Sequence, residues 1–508
     1  MTQYGADKMN TEKVKKLNIV WVTSEAVPYA KTGGLADVSG ALPDALAERG
    51  HSVDVIMPWY PQISGNKIQK FDSFSAPLGV PFGNTTEWAR IRTLTVRPNL
   101  HFHFIEFDKF FDRPRLYDWQ GKAYDDNAQR FLFFCRAAMQ TVLALGLKVD
   151  ILHANDWHAA LCCLYLRSDL YRFEKSFQNA RSVLTIHNLG YQGVFPKENI
   201  ELTGLGWEWF HYNCIEFYDC LNLLKGGITT AHAVNAVSPT YGREILSPEY
   251  GFSLDSALRT CVYEGRLAGI LNGIDVKEWN PQTDPLLPAN FSADDLSGKK
   301  ICRRALQKQF GLPVNDNIPL FATISRLAEQ KGLDVLCSSL WSLLEQNTDL
   351  QCILVGSGNP ELENAYSLLQ NRFPRNFVFY KGYAPDKISH LVEAGADFFV
   401  MPSRYEPCGL NQMYSMRYGT LPIVRSTGGL ADTVINYSNS PENNSTGFVF
   451  YDLNTIALAN TMRWAAEVLK KEPDAFRQMQ KNAMTRDFSW NNTAAQYERM
   501  YENAFKRV

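Results

Sequence analysis

Residues 17–57 read LNIVWVTSEAVPYAKTGGLADVSGALPDALAERGHSVDVIM, and this stretch decides the fold class. It opens with a short apolar run over residues 17–23, which is typical of a strand covered on both faces. A glycine-containing loop over residues 31–34 follows, and apolar residues then recur at the spacing of one helix face. The helical pattern ends at Gly50, and a second strand begins at Val53. The stretch therefore predicts a strand, a helix and a second strand in succession.

The same alternation of strands and helices continues along the chain. Further strands are predicted at residues 151–153, 183–186, 320–325, 352–355, 377–380, 398–401 and 422–424, with a helix at about 332–345. Residues 60–130 are aromatic and irregular, and their pattern predicts little. Strands that alternate with helices form parallel sheets with right-handed crossovers. The alternation of strands and helices restarts after Asn272. We therefore predict two doubly wound α/β domains, residues 1–272 and 273–508, with residues 1–16 flexible.

Length and composition agree with a globular protein of more than one domain. The chain has 508 residues, of which 45% are apolar and 20% charged. Its formal charge of -2 provides no basic field for a nucleic acid. The ten cysteines form no paired CxxC pattern, which indicates reduced thiols. No signal-peptide run and no apolar run of about 20 residues is present, so we expect a cytoplasmic protein that binds neither nucleic acid nor membrane.

The hexapeptide TGGLAD occurs twice, at residues 32–37 and 427–432, once in each predicted domain. Each copy follows a predicted strand. In open α/β folds such loops lie at the carboxyl ends of strands, where ligands bind. A ligand held between two domains is the simplest interpretation.

Three segments carry residues suited to a phosphorylated sugar. Lys31 precedes two glycines at a helix start, which suits a phosphate, although a tight turn with a solvated lysine fits as well. Arg326 and Lys331 stand five residues apart after a strand, and they suit either a diphosphate clamp or a solvated loop. Glu406 follows another strand, where a carboxylate can stabilise a cation-like sugar or be an ordinary loop residue.

The segment HANDWH at residues 153–158 contains two histidines, but it lacks the spacing and the partners of a metal site, so we predict no metal. A sugar-binding edge, with Asp156 accepting hydroxyls and Trp157 packing, and a structural corner both fit this segment. His187 stands at a strand end, where it can reach a sugar or cap a helix.

Five motifs in order resemble the bacterial glycogen synthases and the related starch synthases. They are SEAVPYAKTGGLADVSGALP, HANDWHAA, TIHNLGYQG, SRLAEQKGLD and PSRYEPCGLNQMYSMRYGTLPIVRSTGGLADTV. The matches run from about residue 17 to about residue 450, which is most of the chain. The resemblance implies the GT-B fold, in which two Rossmann-like domains face each other across a cleft. The first domain would hold the acceptor and the second the nucleotide, and a last helix at about 490–508 would cross back to the first.

The resemblance also implies the reaction, which is a retaining transfer of glucose from ADP-glucose to the non-reducing end of an α-1,4-glucan or maltooligosaccharide, without a metal or cofactor. The implied catalytic residues are Glu406, Arg326, Lys331, Asp156 and His187. The implied donor site adds Lys31 at the diphosphate, Tyr383 at the base, Gly428 and Gly429 at the distal phosphate, and Gly33, Gly34, Asp37, Asn272, Cys408, Gly409, Leu410 and Asn411. Where many retaining relatives carry a second glutamate, this sequence has Tyr414, as in glycogen and starch synthases.

Three alternatives remain at this point. A granule-bound type of starch synthase would use ADP-glucose and UDP-glucose more broadly. A GT-B phosphorylase would need a lysine-bound pyridoxal phosphate, and the diphosphate clamp argues against it. An inactive glucan-binding scaffold would have no use for Lys31, Arg326, Lys331 and Glu406, which are all present.

Overall fold

Two open sheets carry the fold, one in each half of the chain. The computed structural model describes residues 15–65, 73–119, 121–346, 348–440 and 444–506. The stretch predicted to be flexible, residues 1–16, lies outside the described residues except for its last two.

The first half contains a nine-stranded sheet and two small ones. Its strands are β1 (Asn18–Val22), β2 (Ser52–Pro58), β3 (Ser73–Phe82), β4 (Thr85–Arg97), β5 (Leu100–Glu106), β6 (Asp118–Trp119), β7 (Lys122–Ala123), β8 (Ile151–Asn155), β9 (Arg181–Ile186), β10 (Val194–Pro196), β11 (Glu216–Phe217), β12 (Cys220–Asn222), β13 (Ala233–Ala236) and β14 (Leu267–Gly269). The large sheet has the order β14-β13-β9-β8-β1-β2-β5-β4-β3. β1 lies between β2 and β8, parallel to both, which explains its apolar sequence.

Helices cover this sheet. They are α1 (Gly34–Glu48), α2 (Pro61–Gly65), α3 (Asp108–Phe111), α4 (Asn127–Ala144), α5 (Asp156–Arg167), α6 (Ile200–Thr203), α7 (Leu223–Thr230), α8 (Pro239–Glu244) and α9 (Asp255–Tyr263). The predicted strand–helix–strand opening is confirmed as β1, α1 and β2, with β1 and β2 parallel.

The predicted parallel strands are present in both sheets, and antiparallel strands are added at one edge of the large sheet. β4 pairs antiparallel with both β3 and β5, so the large sheet is mixed. These strands lie in the region 60–130, where the sequence pattern predicted little. β4 has few fully buried positions and therefore lacks the continuous apolar run by which the parallel strands are recognised.

The second half contains a six-stranded sheet of parallel strands in the order β17-β16-β15-β18-β19-β20. The strands are β15 (Leu320–Ile324), β16 (Gln351–Gly356), β17 (Phe377–Lys381), β18 (Phe398–Met401), β19 (Leu421–Arg425) and β20 (Phe448–Phe450). The helices are α10 (Ser297–Gln309), α11 (Leu333–Glu345), α12 (Pro360–Arg372), α13 (Asp386–Gly395), α14 (Asn411–Arg417), α15 (Gly428–Thr433), α16 (Thr455–Lys471), α17 (Pro473–Thr485) and α18 (Trp490–Phe505). Each predicted strand of this half is present within one or two residues.

The last helix, α18, packs on the first sheet, against α1, β9 and β13. Its Glu498 carboxylate, which is buried, accepts hydrogen bonds from Arg49 Nε at 2.9 Å and pairs with His51 Nε2 at 2.9 Å. Tyr501 contacts His153 Nδ1 through its hydroxyl at 2.8 Å. Polar groups buried in the first half therefore find their partners at the end of the chain.

Candidate active site

Both sheets reverse their strand order at one point, between β1 and β8 in the first and between β15 and β18 in the second. The loops after the carboxyl ends of parallel strands at such a point form a crevice. The loop after β1 carries Lys31, and Asp156 follows β8 directly. The loop after β15 carries Arg326 and Lys331, and the loop after β18 carries Glu406. The fold thus places Asp156, Arg326, Lys331 and Glu406 of the predicted catalytic set after switch-point strands, whereas His187 follows β9.

Glu406 and Lys331, predicted from separate loops, contact each other directly. The Glu406 side chain is 7% exposed, and its carboxylate accepts hydrogen bonds from Lys331 Nζ at 2.9 and 2.7 Å. Ser403 Oγ donates a third hydrogen bond at 2.9 Å. A carboxylate removed from water needs a paired cation and further donors, and this one has both. The sequence placed these residues in separate motifs, and the structure joins them.

The second TGGL loop lies against the Glu406 loop through two glycines. Gly429 N–H donates to the Glu406 carbonyl oxygen at 3.0 Å. A Cβ added at Gly428, whose φ is 43°, would collide with that same carbonyl, and a Cβ at Gly429 would collide with the carbonyl of Cys408. Both positions therefore need glycine for close backbone approach. Gly428 N–H donates to the Glu244 carboxylate at 3.0 and 3.1 Å, so both N–H groups assigned to the distal phosphate already have protein acceptors.

The first TGGL loop presents a cation and meets the second half. Lys31 Nζ contacts Asp37 Oδ1 at 2.7 Å. Partial burial acts to lower the pKa of Lys31, but Asp37, together with Tyr383 and Glu278, acts in the opposite direction, and the pKa is raised. Gly34 is close to Leu410, because an added Cβ would lie 3.6 Å from Leu410 Cδ1, whereas Gly33 faces open space. Loops from the two halves thus lie close together at the crevice.

Glu25 is a site residue that the sequence analysis missed. It is 3% exposed and accepts hydrogen bonds from Thr32 N at 2.5 Å and Gly33 N at 3.3 Å, and Tyr117 OH donates to it at 2.8 Å. Burial raises the pKa of Glu25, and the hydrogen bonds from Thr32, Tyr117 and Gly33 oppose this shift. The N–H groups of the predicted anion loop are thus organised by a carboxylate. A glutamate immediately after a buried strand was the available signal.

Asp156 and His187 lie at neighbouring strand ends. Asp156 has a φ of 57°, which is rare for a residue with a side chain, and such strain concentrates at functional sites. Burial raises the pKa of Asp156 well above its usual value, against the opposing N–H groups of Asn188 and His187. His187 Nε2 lies 3.1 Å from Asn155 Oδ1, and burial lowers the pKa of His187 to about 3, so the imidazole is neutral.

Two buried oxygens in the site have no hydrogen-bond partner among the described residues, Oδ1 of Asp156 and Oδ1 of Asn272. Buried acceptors of this kind are uncommon and indicate a missing donor. Asn272 also lies next to Cys408. Burial raises the pKa of the Cys408 thiol to about 12, and the backbone N–H of Asn272 opposes this rise. Cys408 is therefore a protonated packing residue. Gly409, at φ 73°, and Asn411, whose Nδ2 donates to the Ile324 carbonyl at 3.0 Å, shape the same turn.

Arg326 and Tyr383 reach outward from this cluster. Arg326 is exposed and influences the pKa of Tyr405, next to Glu406. Tyr383 is 79% exposed and lies near enough to Lys31 to affect its pKa. Both side chains are thus available to a ligand at the rim of the crevice.

The histidines of residues 153–158 are packing groups. His153 is fully buried between Tyr501 OH and Thr185 Oγ1, each at 2.8 Å. His158 stacks on Trp157 with ring centroids 3.9 Å apart. Within the ranges that the structure describes, no group of three or more His, Cys, Asp or Glu residues is arranged to hold a metal ion.

Known proteins resemble this chain over nearly its whole length. Residues 18–260 match the model of the starch synthase catalytic domain, and residues 304–485 match that of group 1 glycosyl transferases. The chain is 45% identical over 487 residues to a glycogen synthase of Anaeromyxobacter sp. (strain Fw109-5), covering 96% of this chain and 99% of that protein. It is 42% identical over 499 residues to glycogen synthase 1 of Geobacter sulfurreducens, covering 97% of both. The chain belongs to the glycogen and starch synthase family.

Solved structures agree with this membership. The catalytic domain of starch synthase IV from Arabidopsis thaliana, bound to ADP and acarbose, superposes with a TM-score of 0.88 at 34% identity, covering 97% of this chain and all of that one. Sucrose-phosphate synthase from Thermosynechococcus elongatus, at 20% identity and a TM-score of 0.60, shares the fold. The predicted GT-B fold and the predicted family are confirmed. This glycogen and starch synthase family member is a glucosyltransferase of glycogen or starch synthesis.

In this glucosyltransferase Lys31 and Arg326 are exposed, whereas the Glu406 carboxylate is buried beside Lys331. Among the described residues, no helix is long and apolar enough to cross a bilayer.

Proposed function

We propose that this chain transfers glucose from ADP-glucose to the non-reducing end of an α-1,4-glucan or maltooligosaccharide, with retention of anomeric configuration. The observation that carries the proposal is the Glu406–Lys331 pair, with Nζ to oxygen distances of 2.7 and 2.9 Å. One partner can stabilise a cation-like sugar and the other its anionic leaving group, and the pair sets them side by side. The starch synthase IV structure, which contains ADP, supports adenosine as the nucleoside.

The leaving diphosphate requires positive charge, which three side chains can supply. Lys331 can bridge the Glu406 carboxylate and a phosphate, because an ammonium has three donors. Arg326, exposed at the rim, offers a planar fork suited to phosphate oxygens. Lys31 approaches from the first half of the chain, where Asp37 holds it at 2.7 Å. Tyr383, exposed beyond Lys31, would stack on the base.

For the glycines of the second TGGL loop we propose a different part from the one that the resemblance implies. The N–H groups of Gly428 and Gly429 are bonded to Glu244 and to the Glu406 carbonyl. A phosphate would have to displace both acceptors. Their role would then be to let two loops approach closely, and the side-chain cations would hold the phosphates.

The buried oxygens of Asp156 and Asn272 would accept hydrogen bonds from hydroxyl groups of the bound sugars. Each lacks a donor among the residues that the structure describes, and a glucosyl hydroxyl is a donor of the right kind. His187, neutral because burial lowers its pKa to about 3, would then act as a hydrogen-bonding group rather than as a cation.

We further propose that residues 1–272 form the acceptor domain and residues 273–508 the donor domain, with α18 belonging to the surface of the first. The ligands on both sides of the crevice must converge, so transfer would include domain closure. The position of Leu410 beside Gly34 supports such an approach. A cytoplasmic location is also proposed, since all ten cysteines are free thiols, as a reducing compartment allows.

The test is glucose incorporation into glycogen or a maltooligosaccharide primer, with ADP-glucose compared with UDP-glucose in the presence of EDTA. Strong transfer from ADP-glucose alone is the expected result. Equal transfer from both donors would favour the granule-bound type of specificity. If neither donor reacts while the glucan still binds, the chain is a scaffold and the proposal is wrong.

A further inference from the structure

One short helix, α8, touches loops on both sides of the crevice. It belongs to the first half of the chain, and its principal neighbour across the crevice is α15 of the second half. At its start, Ser238 is fully buried and its Oγ donates to the carbonyl of Pro407 at 2.7 Å. That carbonyl belongs to the residue directly after Glu406. The helix thus holds the main chain of the Glu406 loop from the opposite half of the protein.

The two helices cap each other reciprocally. The Asp432 carboxylate of α15 accepts hydrogen bonds from Thr240 N at 2.8 Å and Thr240 Oγ1 at 2.6 Å, at the start of α8. The Glu244 carboxylate at the end of α8 accepts hydrogen bonds from Gly428 N at 3.0 Å and Thr427 Oγ1 at 3.0 Å, at the start of α15. The first N–H groups of a helix have no partner within it, and here each helix finds that partner in the other half of the chain.

Glu244 is connected to Glu406 through two glycines in series. Glu244 holds Gly428 N, and the next residue, Gly429, donates to the Glu406 carbonyl at 3.0 Å. Because Gly428 has no Cβ, its backbone lies directly on that same carbonyl. A shift of the Gly428 backbone is therefore transmitted to the main chain from which the Glu406 carboxylate projects.

The same helix reaches the other side of the crevice. Tyr241, fully buried, accepts a hydrogen bond from Leu189 N at its hydroxyl, at 2.9 Å. Leu189 lies two residues after His187. A single helix of six residues therefore ties the loop of His187 to the loop of Glu406.

We propose that Glu244 is a positioning residue for the transfer reaction, which sets the Glu406 carboxylate against the sugar through Thr427, Gly428 and Gly429. The inference rests on the proposed role of Glu406. In this role Glu244 acts through main-chain contacts and need touch neither donor nor acceptor. Misplacing a catalytic group by about 1 Å costs up to about 100-fold in rate, so the contact matters for turnover more than for binding.

The experiment compares Glu244→Ala and Glu244→Gln with Glu249→Ala, a matched change at an exposed glutamate in the segment after α8. In Glu244→Ala, kcat falls roughly 10- to 100-fold while the KM for ADP-glucose stays near the parent value. Glu244→Gln retains a carboxamide oxygen that accepts from Gly428 N–H, so it keeps most of the activity. Glu249→Ala behaves as the parent protein. Hydrogen exchange at the Gly428 and Gly429 amides accelerates in Glu244→Ala only.

Glu406→Ala is measured in parallel so that two failures can be told apart. If Glu406→Ala retains turnover, the proposed function of Glu406 fails, and the inference fails with it. If Glu406→Ala is inactive but folded Glu244→Ala has a normal kcat, only the positioning role is refuted. A rise in KM without loss of kcat also refutes it. If Glu244→Ala does not fold, the kcat of Glu244→Gln tests the positioning role. A kcat loss in Glu244→Gln as large as that of Glu406→Ala would contradict rescue by the carboxamide and refute the role.

Discussion

Breaking the Glu406–Lys331 pair from either end greatly slows transfer, but the two changes affect stability unequally. Lys331→Met removes the charge and keeps the apolar stem, leaving the Glu406 carboxylate, 7% exposed, without its cation. Glu406→Gln leaves Lys331 unpaired, but the Lys331 side chain is 21% exposed and can turn to water. Because the two partners are unequally buried, the two substitutions lower the free energy of unfolding by different amounts.

The magnitude follows from that difference in burial. Removing one partner of a buried pair costs about 3–5 kcal/mol when a charge stays buried, and the hydrogen bond from Ser403 keeps Lys331→Met at the low end, about 3 kcal/mol. Glu406→Gln costs about 1 kcal/mol, as for a loss near the surface. At roughly 2–4 °C per kcal/mol for a domain of this size, the calorimetric midpoint falls by roughly 6–12 °C in the first variant and roughly 2–4 °C in the second.

Calorimetry and glucose incorporation are measured on the same preparations, with Lys308→Met, on the exposed face of α10, as the control. Both pair variants lose roughly 100-fold or more in kcat, because each lacks a charge that acts in the transition state. Equal midpoints for the two pair variants would refute the burial argument. Normal turnover in Lys331→Met would refute the assignment of Lys331 to the leaving group.

Three further predictions concern the loops, closure and pH. Gly429→Ala loses most activity and is destabilised, because its Cβ collides with the Cys408 carbonyl, and kcat with a melting curve checks this. Small-angle scattering shows a smaller radius of gyration with ADP and a maltooligosaccharide together than without them, and an unchanged radius would contradict closure. Burial lowers the pKa of His51 from its usual 6.5, although Glu498 beside it acts in the opposite direction. As pH falls through 6.5, the unfolded chain therefore protonates this histidine while the folded protein does not. The free energy of unfolding therefore decreases below about pH 6.5, and His51→Gln, which keeps a donor for Glu498, reduces that slope in urea titrations.

Much of the fold was predictable because its parallel strands are buried on both faces. β18 is present at the predicted residues, since a run such as Phe398–Met401 reads as continuous apolar sequence. β4 was not predictable in the same way, because a half-exposed antiparallel strand carries no such run. Its placement depends on β3 and β5, which pair on either side of it.

Candidate residues could be named from the sequence where the residue type suits a chemistry, as with Glu406, Lys331 and Lys31, and their roles stay predictions. The site was not predictable where a residue acts through a contact distant in sequence. Glu244 meets Gly428 at 3.0 Å across 184 positions of sequence, and nothing near Glu244 indicates that partner. The role of Glu25 is hidden for another reason, since its carboxylate faces backbone N–H groups that any sequence would provide.

The docking of α18 has a consequence for the order in which a nascent chain can mature. The buried groups His51, His153 and Asn235 find partners in Glu498, Tyr501 and Tyr497, the last at 2.9 Å from Asn235 Nδ2. During synthesis these partners leave the ribosome only after the whole second half has been made. Until then Nε2 of His51, Nδ1 of His153 and Nδ2 of Asn235 lack these partners, at about 1–3 kcal/mol for each that stays buried. Although domains usually fold in the order of translation, here the half made first is finished last.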